Sequence, residues 1–246
     1  MAAIAPWISL GSVSLNIVLL ALGVLVIVRR GGWAYLQQRW QRQPSREAAI
    51  YNAPYYRHRQ SQLEKLPVGI NDILFLGDSI TDEGEWSDWF PDATICNRGI
   101  SADTISGVLR RLPALLQTPP QAIFLMIGIN DLIVLGRSPK QVLSRYQQIL
   151  ILIQQRAPQT QVYVQSVLPV SDLVFPSLNP KILQLSQGIA ALAEALNYRY
   201  VDLHSLFMVN GQIDPTCTAD GLHLNGEGYA RWVEHLRPLI AAVVAK

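Results

Sequence analysis

Ser79 has the surroundings of an enzymatic nucleophile. It follows the apolar run Ile73 to Leu76 and then Gly77-Asp78, so it lies just past a predicted buried strand that enters a tight turn. Catalytic groups and ligands gather at the carboxyl ends of the strands in open α/β sheets. A serine hydroxyl attacks poorly, however, unless a base removes its proton and a third group orients that base.

His223 is the histidine best suited to be that base. Asp220 precedes it by three residues, in a glycine-containing stretch that predicts a tight loop before the last helix. In such a loop the carboxylate can reach Nδ1 of the imidazole and leave Nε2 facing the serine. A lone Asp-x-x-His is more often a local turn, and the sequence alone leaves His204 and His235 as rivals.

Acyl transfer from an ester also requires hydrogen-bond donors for the oxyanion that forms. Gly99 follows the second predicted strand and can offer a backbone N–H at close approach. Asn130 follows the third and can offer a side-chain amide. Each residue alone is typical of a turn or a helix cap. Together they predict two donors and a nucleophile at one edge of the sheet.

The elements that must position these groups alternate between strands and helices from residue 72 onward. Apolar runs predict five strands, at 72–77, 93–97, 121–128, 161–168 and 199–203. Amphipathic stretches predict helices at 101–116, 140–156 and 181–196, and a last one from Asn225 or Gly226. This alternation predicts a parallel sheet with helices on both faces.

Three prolines mark the predicted helices. Ser138-Pro139 and Asn179-Pro180 each supply a cap residue and a first-turn proline for a helix start. Pro113 lies within the helix predicted at 101–116 and is expected to kink or divide it.

The composition limits the classes of function. Half of the residues are hydrophobic and 15% are charged, which is typical of a folded globular chain. A net charge of +2 gives no indication of nucleic-acid binding. Cys96 and Cys217 are too few for a disulfide framework, and no Cys/His cluster predicts a zinc site. We therefore expect no metal and no nucleic-acid partner.

The N-terminal residues predict a membrane anchor. Residues 7–28 carry no charge, and as a helix they are long enough to cross roughly 30 Å of hydrocarbon. A signal peptide fits less well because no Lys or Arg precedes the run, and a core helix would show a polar face. We expect an anchor at 1–30, a juxtamembrane linker at 31–68 and one catalytic domain at 69–246.

Basic residues after the anchor predict its orientation. The arginines that follow the span indicate that this side is cytoplasmic, namely Arg29, Arg30, Arg39, Arg42 and Arg46. Unpaired cysteines suit that compartment. The aromatic and basic stretch 55–59 could contact lipid headgroups or RNA, although a helix face packed on the domain is the favoured interpretation.

Four short blocks, in this order, resemble the signature of the GDSL or SGNH hydrolase family. They are Gly77-Asp78-Ser79, Asn97-Arg98-Gly99, Gly128-Ile129-Asn130-Asp131 and Asp220-Gly221-Leu222-His223. The similarity covers about residues 70 to 243 and is greatest to platelet-activating-factor acetylhydrolase-like and carbohydrate-esterase-like members. Ile80 replaces the leucine of the first block, at a position expected to point into packing.

The resemblance implies a flavodoxin-like three-layer α/β/α sandwich with a five-stranded parallel sheet. It implies esterase or lipase chemistry without a metal or an organic cofactor. Ser79 would be the nucleophile, His223 the general base and acid, and Asp220 the orienting acid. The backbone N–H groups of Ser79 and Gly99 and the Asn130 side chain would form the oxyanion hole.

The expected substrate is a carboxylic ester, with an acetyl or short acyl group favoured. A lipid ester and an acetylated sugar both stay open. The apolar stretches 132–135 and 173–175 could line an acyl pocket, rest against a bilayer or cover the sheet edge. The alternatives are an acyltransferase with the same triad and a non-catalytic membrane-anchored binding module, which would be expected to lack a triad residue.

Overall fold

The computed structural model describes residues 7–33 and 45–245, with side chains from residue 15 onward. The chain divides into two compact units, Met1–Ala48 and Ala49–Lys246. Arg39 and Arg42, which entered the predicted membrane orientation, lie outside the described residues.

The first unit contains helix α1 (Trp7–Arg29), which includes the apolar run. Within the two described stretches, however, no helix has the combination of length and apolar character that crossing a membrane requires. The predicted anchor at 1–30 is therefore not supported. The cytoplasmic orientation of the catalytic domain, which presupposes that anchor, stays a prediction.

The second unit is built on a five-stranded parallel sheet, as predicted. Its strands, in spatial order, are β2 (Ile95–Gly99), β1 (Ile73–Gly77), β3 (Ala122–Met126), β4 (Gln161–Gln165) and β5 (Arg199–Val201). This is the flavodoxin-like order of a doubly wound sheet. At the carboxyl edge, Gly77 of β1 pairs with Gly99 of β2 on one side and Met126 of β3 on the other.

Side chains alternate between the two faces of the sheet, because successive residues of a strand point in opposite directions. Leu74 and Leu76 pack in the core beneath α6 (Ile105–Leu115), α8 (Pro139–Arg156) and α9 (Asn179–Ala195). Phe75 and Phe124 pack on the other face beneath α5 (Trp86–Trp89), α10 (Leu203–Phe207) and α11 (Gly226–Val244). The sheet is therefore the middle of three layers.

Two short helices precede the sheet, where the sequence predicts a partly helical linker. They are α2 (Arg46–Asn52) and α3 (Pro54–Leu63). Ile50, Tyr56 and Leu63 from this segment form a small third core with Ile100. Residues 55–59 thus belong to a helix packed on the domain, which was the favoured interpretation of this stretch.

Short elements connect the main ones. Helix α4 (Ser79–Asp82) follows β1 and helix α7 (Ile129–Ile133) follows β3. Strands β6 (Met208–Val209) and β7 (Gln212–Ile213) form a small antiparallel pair before a 3-10 turn at Pro215–Cys217. None of these short elements was predicted, because none is long enough to show periodicity.

The structure confirms the predicted cap of one helix and not that of the other. Ser138 caps α8 with a full capping box to Gln141, as the sequence indicates. Asn179 was wrongly expected to cap α9, since its side chain instead bonds both the N–H and the carbonyl of Val170. Pro113 does not divide α6, because it lies in the last turn of that helix.

Candidate active site

The turn that carries Ser79 depends on a glycine. A Cβ atom on Gly77 would lie 2.2 Å from Oγ1 of Thr81 and 2.4 Å from the carbonyl oxygen of Met126. This close approach lets the chain turn directly from β1 into α4. Asp78 caps α4 by accepting a hydrogen bond from the N–H of Ile80 at 3.2 Å. Ser79 is thereby placed on the first turn of a helix at the carboxyl edge of the sheet.

Ser79, His223 and Asp220 lie in one hydrogen-bonded row. The Oγ of Ser79 is 2.9 Å from Nε2 of His223, although the two residues are 144 positions apart. The other ring nitrogen, Nδ1, is 2.6 Å from Oδ2 of Asp220. Of the two rival histidines, His204 is buried beside Ser166 and His235 is exposed on α11.

The loop from Thr218 to His223 holds the Asp220 carboxylate in place. Its Oδ1 atom accepts hydrogen bonds from the backbone N–H groups of Leu222 and His223, at 2.9 and 2.8 Å. Burial raises the pKa of Asp220, but the bonds from the His223 ring and from these amides outweigh it and lower the pKa to about 2. The carboxylate is therefore ionised near neutral pH and can orient the imidazole.

Asn130 lies on α7, at the end of β3, as predicted. Its side chain is buried, and Nδ2 donates a hydrogen bond to the carbonyl oxygen of Asp103 at 3.0 Å. The second Nδ2 hydrogen is not needed for that bond. The amide is thus anchored and can still donate to a substrate.

The backbone N–H of Gly99, a predicted oxyanion donor, already donates a hydrogen bond within the protein. Its N–H donates to Oδ1 of Asn97 at 2.9 Å. A Cβ atom on Gly99 would lie 2.2 Å from the amide nitrogen of Asp82, so the glycine lets β2 approach α4. Its oxyanion role stays a prediction.

Ala102, a residue that the sequence did not single out, lies in the same loop. It has a positive φ of 63°. Its N–H has no hydrogen-bond partner within the parts of the chain that the structure describes. No sequence signal indicates such a residue, because alanine rarely adopts a positive φ.

Arg111 joins both strand ends to the neighbouring loop. Its guanidinium donates to the carbonyl oxygens of Arg98 at 2.6 Å and Gly77 at 3.1 Å, and to Oδ2 of Asp103 at 2.9 Å. Burial raises the pKa of Asp103, and the charge of Arg111 opposes that rise. An arginine inside a predicted amphipathic helix looks like a surface residue, so sequence reasoning missed this contact.

Two further carboxylates lie near the site. Asp131 accepts from the N–H of Ile105 at 3.0 Å and forms an ion pair with Arg137. Burial raises the pKa of Asp78 to about 7, against the hydrogen bond from Ile80. Asp78 therefore carries its charge at a free-energy cost.

Among the residues that the structure describes, no group of three or more His, Cys, Asp or Glu side chains could hold a metal ion. Cys96 and Cys217 are both free thiols.

The two apolar stretches near the site differ. Leu132 is buried, and Ile133, Val134 and Leu135 pack partly buried against the cores, so this stretch covers the domain. The stretch at 173–175 instead presents Leu173, which is 93% exposed. The N–H of Ser171 donates to the carbonyl oxygen of Gly221 at 2.8 Å, which ties this exposed loop to the Asp220–His223 loop.

Comparisons with known proteins agree with the resemblance read from the four blocks. Residues 75–231 match the GDSL-like Lipase/Acylhydrolase family. Platelet-activating factor acetylhydrolase IB subunit alpha2 of Rattus norvegicus is 30% identical over 178 residues, which cover 69% of this chain and 76% of that protein.

Solved structures share the fold. A GDSL-like lipase from Bacteroides thetaiotaomicron has a TM-score of 0.65 and 22% identity, over 76% of this chain and 97% of that one. Axe2, an acetylxylan esterase from Geobacillus stearothermophilus, has a TM-score of 0.58 and 16% identity, over 70% and 95%. With the family match and the rat relative, this evidence establishes that the chain belongs to the GDSL-like lipase/acylhydrolase family and is a carboxylic ester hydrolase.

Proposed function

We propose that this protein cleaves esters by transferring the acyl group to Ser79, with His223 as base and then acid and Asp220 as its orienting partner. The observation that carries the proposal is the 2.9 Å separation of Ser79 Oγ and His223 Nε2. A base within hydrogen-bond reach of the hydroxyl is the first geometric requirement for its activation.

In the first step, Ser79 Oγ attacks the ester carbonyl carbon while its proton moves to Nε2 of His223. The carbonyl oxygen becomes an oxyanion, and the C–O bond to the alcohol then breaks as His223 returns the proton to the leaving oxygen. Asp220 stabilises the imidazolium and keeps Nε2 directed at Ser79. Water repeats the sequence on the acyl-enzyme and releases the acid.

The oxyanion needs donors that are in place before the reaction begins. The backbone N–H of Ser79 and the anchored Nδ2 of Asn130 fit this role. For the third donor, Gly99 would first have to release Asn97, whereas the N–H of Ala102 has no partner in the described chain. We therefore favour Ala102 over Gly99 as the third donor.

We further propose an acetyl or short acyl ester as the substrate. The names of two similar proteins support this choice, since one is an acetylhydrolase and the other an acetylxylan esterase. The exposed Leu173 beside the Asp220–His223 loop offers an apolar contact for the rest of such a substrate. A non-catalytic binding module is disfavoured, because all three triad residues are present and in contact.

The proposal is tested with the full chain, p-nitrophenyl acetate and a fluorophosphonate probe. Ser79→Ala should abolish both turnover and covalent labelling. Ser144→Ala is the matched control, because Ser144 is exposed on α8. Its turnover and labelling should equal those of the wild type. Retained turnover in Ser79→Ala would overturn the assignment of the nucleophile.

A further inference from the structure

Helix α3, which precedes the sheet, directly contacts the turn that carries the nucleophile. Nε of Arg59 forms an ion pair with Oδ1 of Asp82 at 2.8 Å, and the hydroxyl of Tyr55 donates to Oδ2 of the same carboxylate. Asp82 is the last residue of α4, three residues after Ser79. The side chain of Asp82 is only 4% exposed. Its carboxylate therefore receives from these partners the hydrogen bonds that water would supply at an exposed position.

Asp82 also connects this turn to the loop with the candidate oxyanion donors. Its Oδ2 atom accepts the N–H of Ser101 at 3.0 Å, and its carbonyl oxygen accepts Nδ2 of Asn97 at 3.0 Å. Arg59 reaches the same loop, because its Nε also donates to the carbonyl oxygen of Gly99 at 3.4 Å. One carboxylate therefore links α3, α4 and the 99–103 loop.

A second contact from α3 reaches the far end of that loop. The hydroxyl of Tyr56 donates to Oδ1 of the buried Asp103 at 3.1 Å. The carbonyl oxygen of Asp103 accepts a hydrogen bond from the side chain of Asn130, and its carboxylate accepts one from Arg111. A Cβ atom on Gly107 would lie 1.8 Å from this Oδ1, so the space around the pair is filled.

We propose that α3 is a positioning element of the active site, in which Tyr55, Tyr56 and Arg59 fix the 99–103 loop relative to Ser79. This inference rests on the proposed function, and it assigns these three as positioning residues, not catalytic ones. Ser79 and the candidate donors come from different loops, and small displacements between such groups are costly in rate. The side chains of α3 contact both loops and limit their relative movement.

Tyr55 and Arg59 are suited to this task for different reasons. Burial, and then the hydrogen bond to Asp82, raises the pKa of Tyr55 to about 12, so the hydroxyl remains a donor at physiological pH. Arg59 offers a planar donor group whose orientation is more defined than that of a lysine ammonium. Removing either leaves Asp82 with fewer partners in a site from which water is largely excluded.

The experiment compares Arg59→Gln with Arg57→Gln in the full chain. Both variants remove one positive charge from α3, but Arg57 is exposed and lies two positions from Arg59. Turnover of p-nitrophenyl acetate is measured well below the melting temperature of each variant. We expect Arg59→Gln to lower kcat about 10-fold with KM within 2-fold, and Arg57→Gln to match the wild type; a 1 Å displacement can cost up to about 10²-fold.

Two further variants separate positioning from folding. Tyr55→Phe removes one hydrogen bond at a residue that is 54% exposed, and should lower kcat about 3-fold at temperatures well below the melting temperature of the variant. Arg59→Lys keeps the charge and should recover part of the lost kcat.

The outcomes distinguish this inference from the proposed function. A wild type without esterase activity would overturn the proposed function. An active wild type with an unchanged kcat in both Arg59→Gln and Tyr55→Phe would overturn the role of α3 alone. A rate loss that follows only the melting temperature, equally in Arg57→Gln and Arg59→Gln, would also overturn that role.

Discussion

The hydroxyl of Tyr229 donates a hydrogen bond to the carbonyl oxygen of Ile80 at 2.8 Å, across 149 positions of the chain. Ile80 follows Ser79 on α4, and Tyr229 lies in the first turns of α11, six residues after His223. This bond joins the backbone segments that present the two reacting side chains. It therefore helps to set the separation between Ser79 and His223.

Tyr229→Phe should weaken both stability and turnover. The change leaves the buried carbonyl of Ile80 without its partner, which costs about 1–3 kcal/mol in the free energy of unfolding. Urea titration measures that loss, and kcat should fall at temperatures where the variant is fully folded. Tyr198→Phe is the control, since Tyr198 also donates to a carbonyl, of Leu150, on a remote helix. Equal kcat values for the two variants would contradict the proposed role of the Tyr229 bond.

Asn130→Ala should lower kcat about 10²- to 10³-fold if the side-chain amide contacts the oxyanion. KM should change little, because the lost bond would exist mainly in the transition state. Asn71→Ala, at an exposed position, serves as the control. An Asn130→Ala enzyme that is folded and retains the wild-type kcat would remove this amide from the oxyanion hole.

Asp78→Asn should change the pH dependence of stability. Burial raises the pKa of Asp78 in the folded chain to about 7, above its ordinary value of 3.8. The stability gained from the protonated form is complete below 3.8 and is lost as the pH rises through 7. Asparagine does not ionise, so the variant should gain stability relative to the wild type between pH 4 and pH 8.

Urea titrations at several pH values measure this difference. A constant offset between Asp78→Asn and the wild type over this range would show that Asp78 does not titrate with a raised pKa.

Gly221→Ala should abolish most of the activity. Gly221 has a φ of 82°, and an added Cβ would lie 2.5 Å from Cβ of Ser171, so the loop between Asp220 and His223 would have to move. Gly211→Ala is a close control, because Gly211 has a φ of 83° with no atom within 4 Å of the added Cβ. Both changes strain the backbone by a similar amount, but the control should retain kcat. Similar kcat values would indicate that the Ser171 contact is unimportant.

The central strands β1 and β3 could be predicted because they are apolar runs buried along their whole length. The predicted end of a strand differs from the observed one where polar residues belong to that strand. β2 runs to Gly99, two residues beyond its predicted end, because Asn97 and Arg98 use their side chains to bond nearby loops. The strand predicted to reach residue 168 ends at Gln165.

The helices ahead of the sheet were harder to interpret. Tyr56 lies in a stretch rich in glutamine and arginine, which suggests a solvated surface, yet its ring is buried and its hydroxyl has a buried carboxylate as partner. That contact spans 47 positions, and no local pattern indicates it. Asp220 and His223 could be paired from sequence because they are three residues apart. Arg111 could not, since two of its partners are backbone carbonyls, which no residue type marks in a sequence.

The distance along the chain between Ser79 and His223 has a consequence for synthesis. A nascent chain that has passed the ribosomal exit with β1 through β5 complete would still lack the imidazole and α11. Such an intermediate would contain Ser79 without the base that contacts it. Hydrolysis would begin only after the segment with His223 and α11 had emerged and folded back onto the sheet, because that segment brings the base to Ser79.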